Sequence, residues 1–314
     1  ALFRKLSIVG RALVYARPRR TLIHNDVLSP YNRSRREVLF HVWFKKQDEV
    51  QLESVFCSKC GFACYTPRPG DGDIAQKYEY LRRYDPDLGG QAGHGEYSKK
   101  LDQKRAKRIY DKCQCYLSGK QADILDYGGG NGKLMRPFKE NMHRCYLIDY
   151  NDNPLPGIEK LGSDIDDYRG QTKFDVIICS HVLEHVSGIS KLVNRLRDLL
   201  KPDGIIYAEV PQDIWSGLKI DLDPVTHINF FTENSLSNLF LANGFEILEK
   251  KQEISNYGDS YLEVVWLVAK LAIASKPSLL QADTKRMLYP SRLSSIIKLF
   301  RLLIEPKLRK ILGI

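Results

Sequence analysis

The feature that most constrains the fold of this chain is an apolar strand that runs directly into a glycine-rich turn. Residues 124–127 read Ile-Leu-Asp-Tyr, the turn reads Gly-Gly-Gly-Asn-Gly over 128–132, and a helical pattern begins near Leu134. Glycine lets a ligand approach the backbone closely, and the first N–H groups of a helix are free to bind polar ligand atoms. The pattern therefore predicts a ligand site at the end of a buried strand.

The segments around this turn alternate between strand-like and helix-like periods. The predicted strands are 123–127, 145–149, 174–179 and 204–210. A helix is predicted at 189–200, and strands that alternate with helices form a parallel, doubly wound sheet. Beyond it, a helix at 234–242 precedes strands at 245–250 and 261–269, which predict a C-terminal antiparallel hairpin. The expected fold class is α/β, Rossmann-like and mostly parallel, with a small N-terminal accessory region.

Two common phosphate-binding turns fit this segment poorly. A P-loop requires Gly-x4-Gly-Lys-Ser/Thr, but Tyr127 stands at its first glycine and Leu134 at its hydroxyl position. A dinucleotide site requires Gly-x-Gly-x-x-Gly, but Lys133 occupies the third glycine position. The P-loop is excluded, whereas a nicotinamide-dependent dehydrogenase is weakened and remains a rival enzyme.

The turn instead fits Asp-x-Gly-x-Gly-x-Gly, and over about residues 121–270 the chain resembles the class I S-adenosylmethionine-dependent methyltransferases. The resemblance implies that Asp126 lies near the amino group of the cofactor's methionine part. It also implies that the glycines follow the sugar and amino-acid parts. The cofactor-binding residues implied at this turn are Asp126, Tyr127, Gly128, Gly129, Gly130 and Gly132.

A second acidic residue, Asp149, ends the next predicted strand. A carboxylate there can accept hydrogen bonds from both ribose hydroxyls. The following segment, 150–173, departs from the family pattern, because 24 residues that include two prolines must supply a helix and the third strand. The cofactor-binding residues that the family pattern implies here are Asp149, Tyr150, Asp164 and Ile165, with Asp166 as a rival for the adenine contact.

Two further segments resemble one branch of this family. Leu-Glu-His-Val at 183–186 is typical of the branch that contains the ubiquinone-biosynthesis O-methyltransferases, and 199–206 resembles the family's turn into the fifth strand. Open parallel sheets bind ligands at the carboxyl ends of their strands, where Ser180 is expected to contact the cofactor. The catalytic candidates at this edge are His181, Glu184, His185 and His227.

Three roles are open for these four residues. A histidine with a pKa near neutrality is a suitable general base for a hydroxyl or amine acceptor, and His181 or His227 is preferred for this role. Alternatively, the side chains hold loops by hydrogen bonds. The third role is metal binding, because small-RNA 2′-O-methyltransferases use a Glu-x-x-Glu-His…His set for magnesium. Here His181 replaces the first Glu, which makes the site poorer for a hard cation.

The N-terminal part contains half of a possible metal site. Cys57 and Cys60 have the spacing of half a zinc ribbon, and with their continuation to 67–69 they resemble the module that precedes many sugar and polysaccharide methyltransferases. His24 and His41 could complete a zinc site, and the alternative is a relic knuckle. The region is expected to close over the substrate. The predicted divisions are a basic region with the knuckle at 1–70, a helical connector at 71–120, the cofactor-binding domain at 121–270 and a basic amphipathic tail at 271–314.

The whole chain has a net charge of +10, and the positive charge is concentrated at its two ends. Residues 1–46 carry 11 basic and 2 acidic side chains, and residues 271–314 carry 9 and 2, so the middle is net acidic. From Pro290 onward, apolar residues recur at helical spacing with basic residues available to the other side. Such ends suit an anionic membrane surface, although the same apolar face could pack on protein. Nucleic acid is not expected as a partner, because the ends lack interleaved aromatic residues.

Seven cysteines, an odd number, predict a reducing, cytoplasmic location. The basic ends suggest that the protein could associate with a membrane there. We interpret the chain as an S-adenosylmethionine-dependent methyltransferase of polysaccharide biosynthesis. Its first acceptor would be a sugar hydroxyl on a nucleotide-linked or lipid-linked glycan, and its second a quinone or other small phenol. The alternative of another class is a noncatalytic binding protein that retains the fold.

Overall fold

The computed structural model describes residues 3–5, 14–16, 34, 37–45, 50–82, 96–117, 121–212, 225–257, 260–272, 279–281 and 304. In chain order the strands are β1 (Phe3–Lys5), β2 (Val14–Ala16), β3 (Val50–Cys57), β4 (Ala63–Thr66), β5 (Asp123–Tyr127), β6 (Arg144–Ile148), β7 (Glu159–Gly162), β8 (Phe174–Ser180), β9 (Leu200–Pro211), β10 (Asn229–Phe230), β11 (Phe245–Tyr257) and β12 (Ser260–Leu271). The α-helices are α1 (Asp71–Arg82), α2 (Glu96–Cys113), α3 (Arg136–Glu140), α4 (Ile189–Leu199) and α5 (Glu233–Ala242). Single 3₁₀- or π-helical turns lie at Leu39–Trp43, Gln114–Tyr116 and Lys133–Met135.

The larger sheet has seven strands in the order β11-β12-β9-β8-β5-β6-β7. Strands β5 to β9 pair in parallel, and the hairpin of β11 and β12 joins β9 in antiparallel orientation. This topology confirms the predicted Rossmann-like α/β fold with a C-terminal antiparallel hairpin. The glycine turn follows β5, which lies inside the sheet between β8 and β6.

Helices cover both faces of this sheet. Consecutive residues of β8 point to opposite layers: Ile177 packs in a cluster with Leu192 of α4, and Ile178 packs in a second cluster with Ile109 of α2. All four side chains are buried. A strand that is covered on both faces needs apolar residues on both, which explains why the sequence of β8 shows no polar alternation.

The connection between β6 and β7 differs from the prediction. A helix was expected within 150–173, but no helix forms over residues 149–173, all of which the structure describes. Pro154 and Pro156 cannot donate helical hydrogen bonds, and Gly157 has a φ of +79°. The prediction of a helix is therefore wrong, and an irregular loop leads into the short third strand, β7.

The accessory region forms a smaller sheet in the order β1-β3-β4-β10, with β2 also paired to β3. Its last strand, β10, comes from the distant segment after residue 225, and it pairs Asn229 with Cys64 and Phe230 with Ala63. A third apolar cluster joins the same parts of the chain. It consists of Val38, Leu39, Val42, Tyr65, Leu81 and Val225. The accessory sheet is therefore continuous with segment 225–231, while the four-part division of the chain stays a prediction.

Asn229 connects this segment to both neighbours. Asn229 is only 1% exposed. Its Nδ2 donates to the carbonyls of Leu183 and Val186, both at 2.7 Å. Its Oδ1 accepts from Arg68 Nη2 at 2.8 Å, and its backbone N–H donates to the carbonyl of Glu184 at 3.1 Å. One buried amide thus satisfies groups from the accessory region and from the loop after β8.

The start of the C-terminal tail contacts α5. Asn238 exchanges two hydrogen bonds with the backbone of Leu280, at 2.7 and 2.8 Å, and Asn234 Nδ2 donates to the carbonyl of Gln281 at 2.9 Å. The amphipathic helix predicted from Pro290 lies outside the described residues, apart from Ile304. Among the helices that the structure describes, none combines the length and apolar character needed to span a membrane.

We expect Asn229→Ala to lower the free energy of unfolding by about 2–4 kcal/mol, because the carbonyls of Leu183 and Val186 lose this donor and Arg68 loses one of its acceptors. Urea denaturation measures this change. Asn141→Ala is the matched control, because its exposed amide donates only to the carbonyl of Pro137, and we expect less than about 0.5 kcal/mol. A loss for Asn229→Ala as small as that of the control would contradict the proposed junction.

Candidate active site

The carboxylate of Asp126 lies beneath the glycine turn. The residue is 1% exposed, and neither carboxylate oxygen has a hydrogen-bond partner among the described residues. Burial raises the pKa of Asp126 to about 7, repulsion from Asp149 adds to the shift, and Arg105 opposes it. A buried carboxylate without donors is destabilising unless a ligand supplies them. Asp126 is therefore placed to accept hydrogen bonds from a cationic group of a ligand.

Two glycines shape the space around Asp126. A Cβ at Gly129 would lie 2.0 Å from Asp126 Oδ2, so only glycine fits there. Gly130 has a φ of +63°, and a Cβ there would have no heavy atom within 4 Å. The backbone at Gly130 therefore borders open space into which a ligand could reach. Gly128 and Gly132 also have positive φ angles, 70° and 82°, which complete the predicted turn.

Asp149 contacts the same turn from the end of β6. Its Oδ2 accepts the N–H of Gly130 at 2.8 Å, and its Oδ1 accepts the N–H of Asn151 at 2.7 Å. A carboxylate offers about four lone-pair sites, so one group can bind several donors. The structure therefore brings together the two acidic residues, Asp126 and Asp149, that the sequence places on separate strands.

Aromatic residues border this turn on the side of α1. Burial raises the pKa of Tyr127 well above its ordinary value, and the neighbouring Asp164 and Tyr150 add to the shift. Tyr150 is 37% exposed, and its ring stacks on Tyr78 of α1 with centroids 5.7 Å apart. The residues expected around an adenine ring thus lie near one another, and the accessory region reaches them through Tyr78.

The structure separates the two aspartates that compete for the adenine contact. Asp166 forms ion pairs with Lys191 at 3.6 Å and Arg195 at 3.3 Å, both on α4. Asp164 accepts the N–H of Asp166 at 2.9 Å and has no ion pair among the described residues. Ile165 is buried in the apolar core. The geometry therefore favours Asp164 for this contact.

The four catalytic candidates gather at the carboxyl end of β8. His181 follows the strand with a φ of +58°, a left-handed conformation that is uncommon for side chains other than glycine. Its Nδ1 lies 3.3 Å from Glu184 Oε1, and His185 Nε2 lies 3.7 Å from the same oxygen. The ring of His227 packs edge-on against His185 with centroids 4.9 Å apart. The structure thus joins His227 to a group that is more than 40 residues away in sequence.

Protonation in this cluster is uneven. Burial disfavours a charged Glu184, but His185, His181 and His227 outweigh it and hold the pKa of Glu184 at about 2. Burial lowers the pKa of His185 to about 3, with smaller contributions from His227 and Lys77 and despite the attraction of Glu184. At neutral pH the cluster therefore contains an ionised Glu184 and a neutral His185.

The three histidines differ in the groups that their ring nitrogens face. Both ring nitrogens of His181 face carboxylates, since its Nδ1 is directed to the glutamate described above and its Nε2 lies 3.4 Å from Glu209 Oε1. His185 Nδ1 donates to the carbonyl of Thr226, which fixes its tautomer. His227 is half-buried at the edge of the cluster. The geometry therefore favours His227 over His181 as a base.

Glu184, His185 and His227 could also hold a metal ion. One ligand atom from each lies within 4.8 Å of the others, and both carboxylate oxygens of Glu184 are buried with no hydrogen-bond partner in the described part of the chain. The carbonyl of Thr226 holds His185 in the tautomer that metal-bound histidines adopt. Two imidazoles and one carboxylate suit a borderline transition-metal ion better than magnesium. His181 is not part of this group.

A buried ionic network at the ends of β8 and β9 is not predicted by the sequence motifs. Glu209, which is fully buried, pairs with Arg105 at 3.2 Å and with Arg108, and it accepts from Tyr207 Oη at 2.8 Å. Ser180 Oγ accepts from Arg105 at 2.7 Å and donates to Glu209 at 3.1 Å. A cofactor contact of Ser180 would therefore use its backbone. The sequence contains one signal of this network, which is Glu209 within the apolar run 204–211. A charged residue in a buried strand indicates a charged partner elsewhere, because buried charges are normally paired.

The cysteine knuckle forms only half of a metal site. Cys57 ends β3 and Cys60 lies in the tight turn that follows, where the N–H of Gly61 donates to the carbonyl of Cys57 at 2.9 Å. Within the described residues, no third histidine, cysteine or carboxylate joins the two thiols. His41 instead stacks on Tyr80 with centroids 5.6 Å apart, and His24 lies outside the described residues. The structure therefore gives zinc no support.

Comparisons with known proteins show which family and which fold this chain is similar to. Residues 97–250 match a family model described as a methyltransferase domain. The chain is 25% identical over 163 residues to the ubiquinone biosynthesis O-methyltransferase of Nitrobacter winogradskyi. This match covers 44% of this chain and 62% of that protein. It is 32% identical over 108 residues to the protein of the same name from Actinobacillus pleuropneumoniae serotype 7, covering 29% and 45%. The chain thus spans roughly half the length of these curated relatives.

The fold has solved counterparts. The 1,6-didemethyltoxoflavin-N1-methyltransferase of Burkholderia thailandensis, solved with its substrate and S-adenosylhomocysteine bound, superimposes with a TM-score of 0.50. The two chains are 16% identical, and the match covers 73% of this chain and 98% of that one. At this identity the comparison establishes the fold.

The raised pKa of Asp126 predicts how ligand affinity depends on pH. A cationic amino group favours the ionised carboxylate, so binding of S-adenosylhomocysteine should release a proton from Asp126. With a pKa of about 7, affinity should rise roughly tenfold between pH 6 and pH 8 and then level off, as measured by isothermal titration calorimetry. Asp126→Asn should bind more weakly and lose this pH dependence. Wild-type affinity that is independent of pH would contradict the role of Asp126.

Proposed function

Residues 97–250 form a methyltransferase domain of the class I S-adenosylmethionine-dependent family, and we propose that this protein methylates a hydroxyl group of a small acceptor. The observation that carries the proposal is the meeting of two groups of residues at one edge of the sheet. The turn of Asp126 and Asp149 follows β5 and β6, and the histidine cluster follows the adjacent β8. A donor site and a proton-accepting site are therefore neighbours.

The donor side of the site binds a cation and a diol in this proposal. Asp126 holds the amino group, Asp149 accepts from the ribose hydroxyls, and the backbone at Gly130 lets the ligand approach closely. Tyr150 and Asp164 border the adenine. When bound, S-adenosylmethionine supplies an electrophilic methyl group. The protein's contribution to the rate then comes mainly from holding the acceptor in line with that group.

On the acceptor side, we propose that His227 takes the hydroxyl proton. His181 lies between two carboxylates, and His185 Nδ1 donates to the carbonyl of Thr226, whereas His227 is half-buried at the edge of the cluster. Glu184, ionised at the centre of the cluster, stabilises the positive charge that develops on the imidazole. His181 and His185 orient this carboxylate.

A second candidate chemistry uses a metal ion at Glu184, His185 and His227. The observation that favours it is the buried carboxylate of Glu184, which faces the imidazoles of His181 at 3.3 Å and His185 at 3.7 Å and has no closer donor among the described residues. An ion held there would lower the pKa of an acceptor hydroxyl by coordination. The same three residues cannot hold an ion while His227 acts as a free base, so the two chemistries exclude each other.

The acceptor class that we propose first is a quinone-type phenol. Support comes from the curated relatives, which are named for ubiquinone biosynthesis, and from the aromatic residues Tyr78 and Tyr150 beside the site. A glycan hydroxyl, the first choice from the sequence, becomes the second candidate and rests on the resemblance of the knuckle around Cys57 to modules of sugar methyltransferases. Incubation with methyl-labelled S-adenosylmethionine and a panel of catechols and nucleotide sugars, followed by mass spectrometry, distinguishes them. A binding protein without activity would bind S-adenosylhomocysteine and label neither class.

We expect His227→Ala to lower turnover by about 10²–10⁴-fold, because the hydroxyl loses its proton acceptor. Affinity for S-adenosylhomocysteine should stay within about twofold, since His227 lies outside the donor turn. His41→Ala is the control, because His41 is an exposed histidine of the accessory region that stacks on Tyr80. Full turnover in His227→Ala would exclude both the base and the metal chemistry.

Chelation separates these two chemistries. With a histidine base, dialysis against EDTA should leave turnover unchanged. Loss of activity that returns with added manganese or zinc ions, together with a similar loss in Glu184→Gln, would instead assign the cluster to a metal. Elemental analysis of the purified protein gives an independent count of bound ions.

The basic ends also support a proposal of membrane association, which would bring a lipid-linked or quinone-type acceptor to the enzyme. Lys and Arg near an anionic surface contribute about 1 kcal/mol each. Full-length protein should float with vesicles of phosphatidylcholine and phosphatidylserine at low salt, and a chain truncated after Lys276 should float less. Vesicles of phosphatidylcholine alone are the control. Equal flotation of the two proteins would indicate that the tail packs on the protein. The contacts of Leu280 and Gln281 with Asn238 and Asn234 are consistent with such packing.

A further inference from the structure

Lys77 is the most deeply buried basic residue near the histidine cluster. It lies in the middle of α1 and is 2% exposed. Lysine is almost never fully buried unless its ammonium group has specific partners. Lys77 Nζ donates to the carbonyl of Val225 at 3.2 Å. This bond joins residues that are 148 positions apart. Val225 lies inside the segment that matches the methyltransferase family model, and Lys77 lies outside it.

Aromatic rings surround the ammonium group. Lys77 Nζ lies 4.7 Å from the ring centroid of Tyr78 and 5.9 Å from that of Trp43, distances at which a cation is attracted to an aromatic face. Trp43 is itself held by a hydrogen bond from its Nε1 to the carbonyl of Asp73 at 3.1 Å. The position of the ammonium group is therefore defined from several sides.

The residue that Lys77 binds begins the segment that supports the histidines. Val225 is fully buried among apolar residues of the accessory region. The next residue, Thr226, accepts the hydrogen bond from His185 Nδ1, and His227 follows. A displacement of Val225 would therefore be transmitted to both histidines within two residues.

We propose that Lys77 is a positioning residue of the active site, through which the accessory region holds the segment 225–227 and with it His185 and His227. The proposal rests on the function proposed above. It assigns to a residue outside the methyltransferase domain a part in methyl transfer. Lys77 acts through Val225 and Thr226 and need not touch the acceptor.

The test compares Lys77→Met with Lys45→Met. Methionine fills much of the lysine volume without the hydrogen bond or the charge. Lys45 is a matched control, because it is exposed and contacts the same helix through Gln76 at 2.9 Å. The readouts are the proton resonance of His185 Nδ1–H in ¹⁵N-histidine-labelled protein, turnover, and affinity for S-adenosylhomocysteine.

In Lys77→Met we expect the His185 resonance to shift or disappear and turnover to fall by about 10- to 100-fold, because small displacements of catalytic groups are costly. Affinity for S-adenosylhomocysteine should stay within about twofold, and Lys45→Met should match the wild type in every readout. An unchanged His185 resonance with unchanged turnover would overturn the proposal. Equal losses of turnover and of ligand affinity would also overturn it, because they would indicate a general structural role.

If Lys77→Met does not yield folded protein, Lys77→Gln is measured by the same criteria. The resonance of His185 is observed without any acceptor. If the wild type methylates no compound of the panel, the proposed function fails, while the effect of Lys77→Met on this resonance still decides whether Lys77 positions the histidine segment.

Discussion

The hydrogen bonds of Asn229 hold together the parts of the chain from which the site is built. The amide donates to Leu183 and Val186 in the loop after β8 and accepts from Arg68 of the accessory region, and Asn229 itself is only 1% exposed. Buried amides of this kind are expensive to leave unpaired, so the three segments are ordered together or not at all. Because β10 is also a strand of the accessory sheet, this region is part of the site's architecture.

Each buried charge of the site either has a partner within the protein or lies where a ligand could supply one. Glu209 is neutralised by Arg105 and Arg108 and orients Ser180, so it serves as a rigid support. Asp126 and Glu184 differ, because the oxygens of Asp126 are buried without hydrogen-bond donors among the described residues, and those of Glu184 face imidazole nitrogens at 3.3 and 3.7 Å without a closer donor there. Polar groups left in this state mark the places where a ligand's own charge is expected, since otherwise they would only destabilise the fold.

Much of the fold and half of the site could be predicted from local patterns. The glycine turn, Asp126 and Asp149 are recognised because short spacing and residue type suffice to define them. The loop that replaces a helix before β7 was missed, although its prolines are visible in the sequence, because family resemblance outweighed local chemistry. The interactions of Glu209 with Arg105 and of Lys77 with Val225 were not predictable, because each joins residues at least 100 positions apart and involves no motif.

The sequence by itself determined most of the order of strands and helices between residues 121 and 270, the doubly wound class of the fold and the glycine turn after β5, because apolar periodicity and glycine placement act over a few residues. Only the tertiary structure decided which histidine is favoured as the base, since that depends on which carbonyl or carboxylate each ring nitrogen meets. It also decided that β10 completes the accessory sheet and that Lys77 reaches the histidine segment. These outcomes depend on the packing of distant segments, and side-chain hydrogen bonds across such distances leave no periodic trace in the chain.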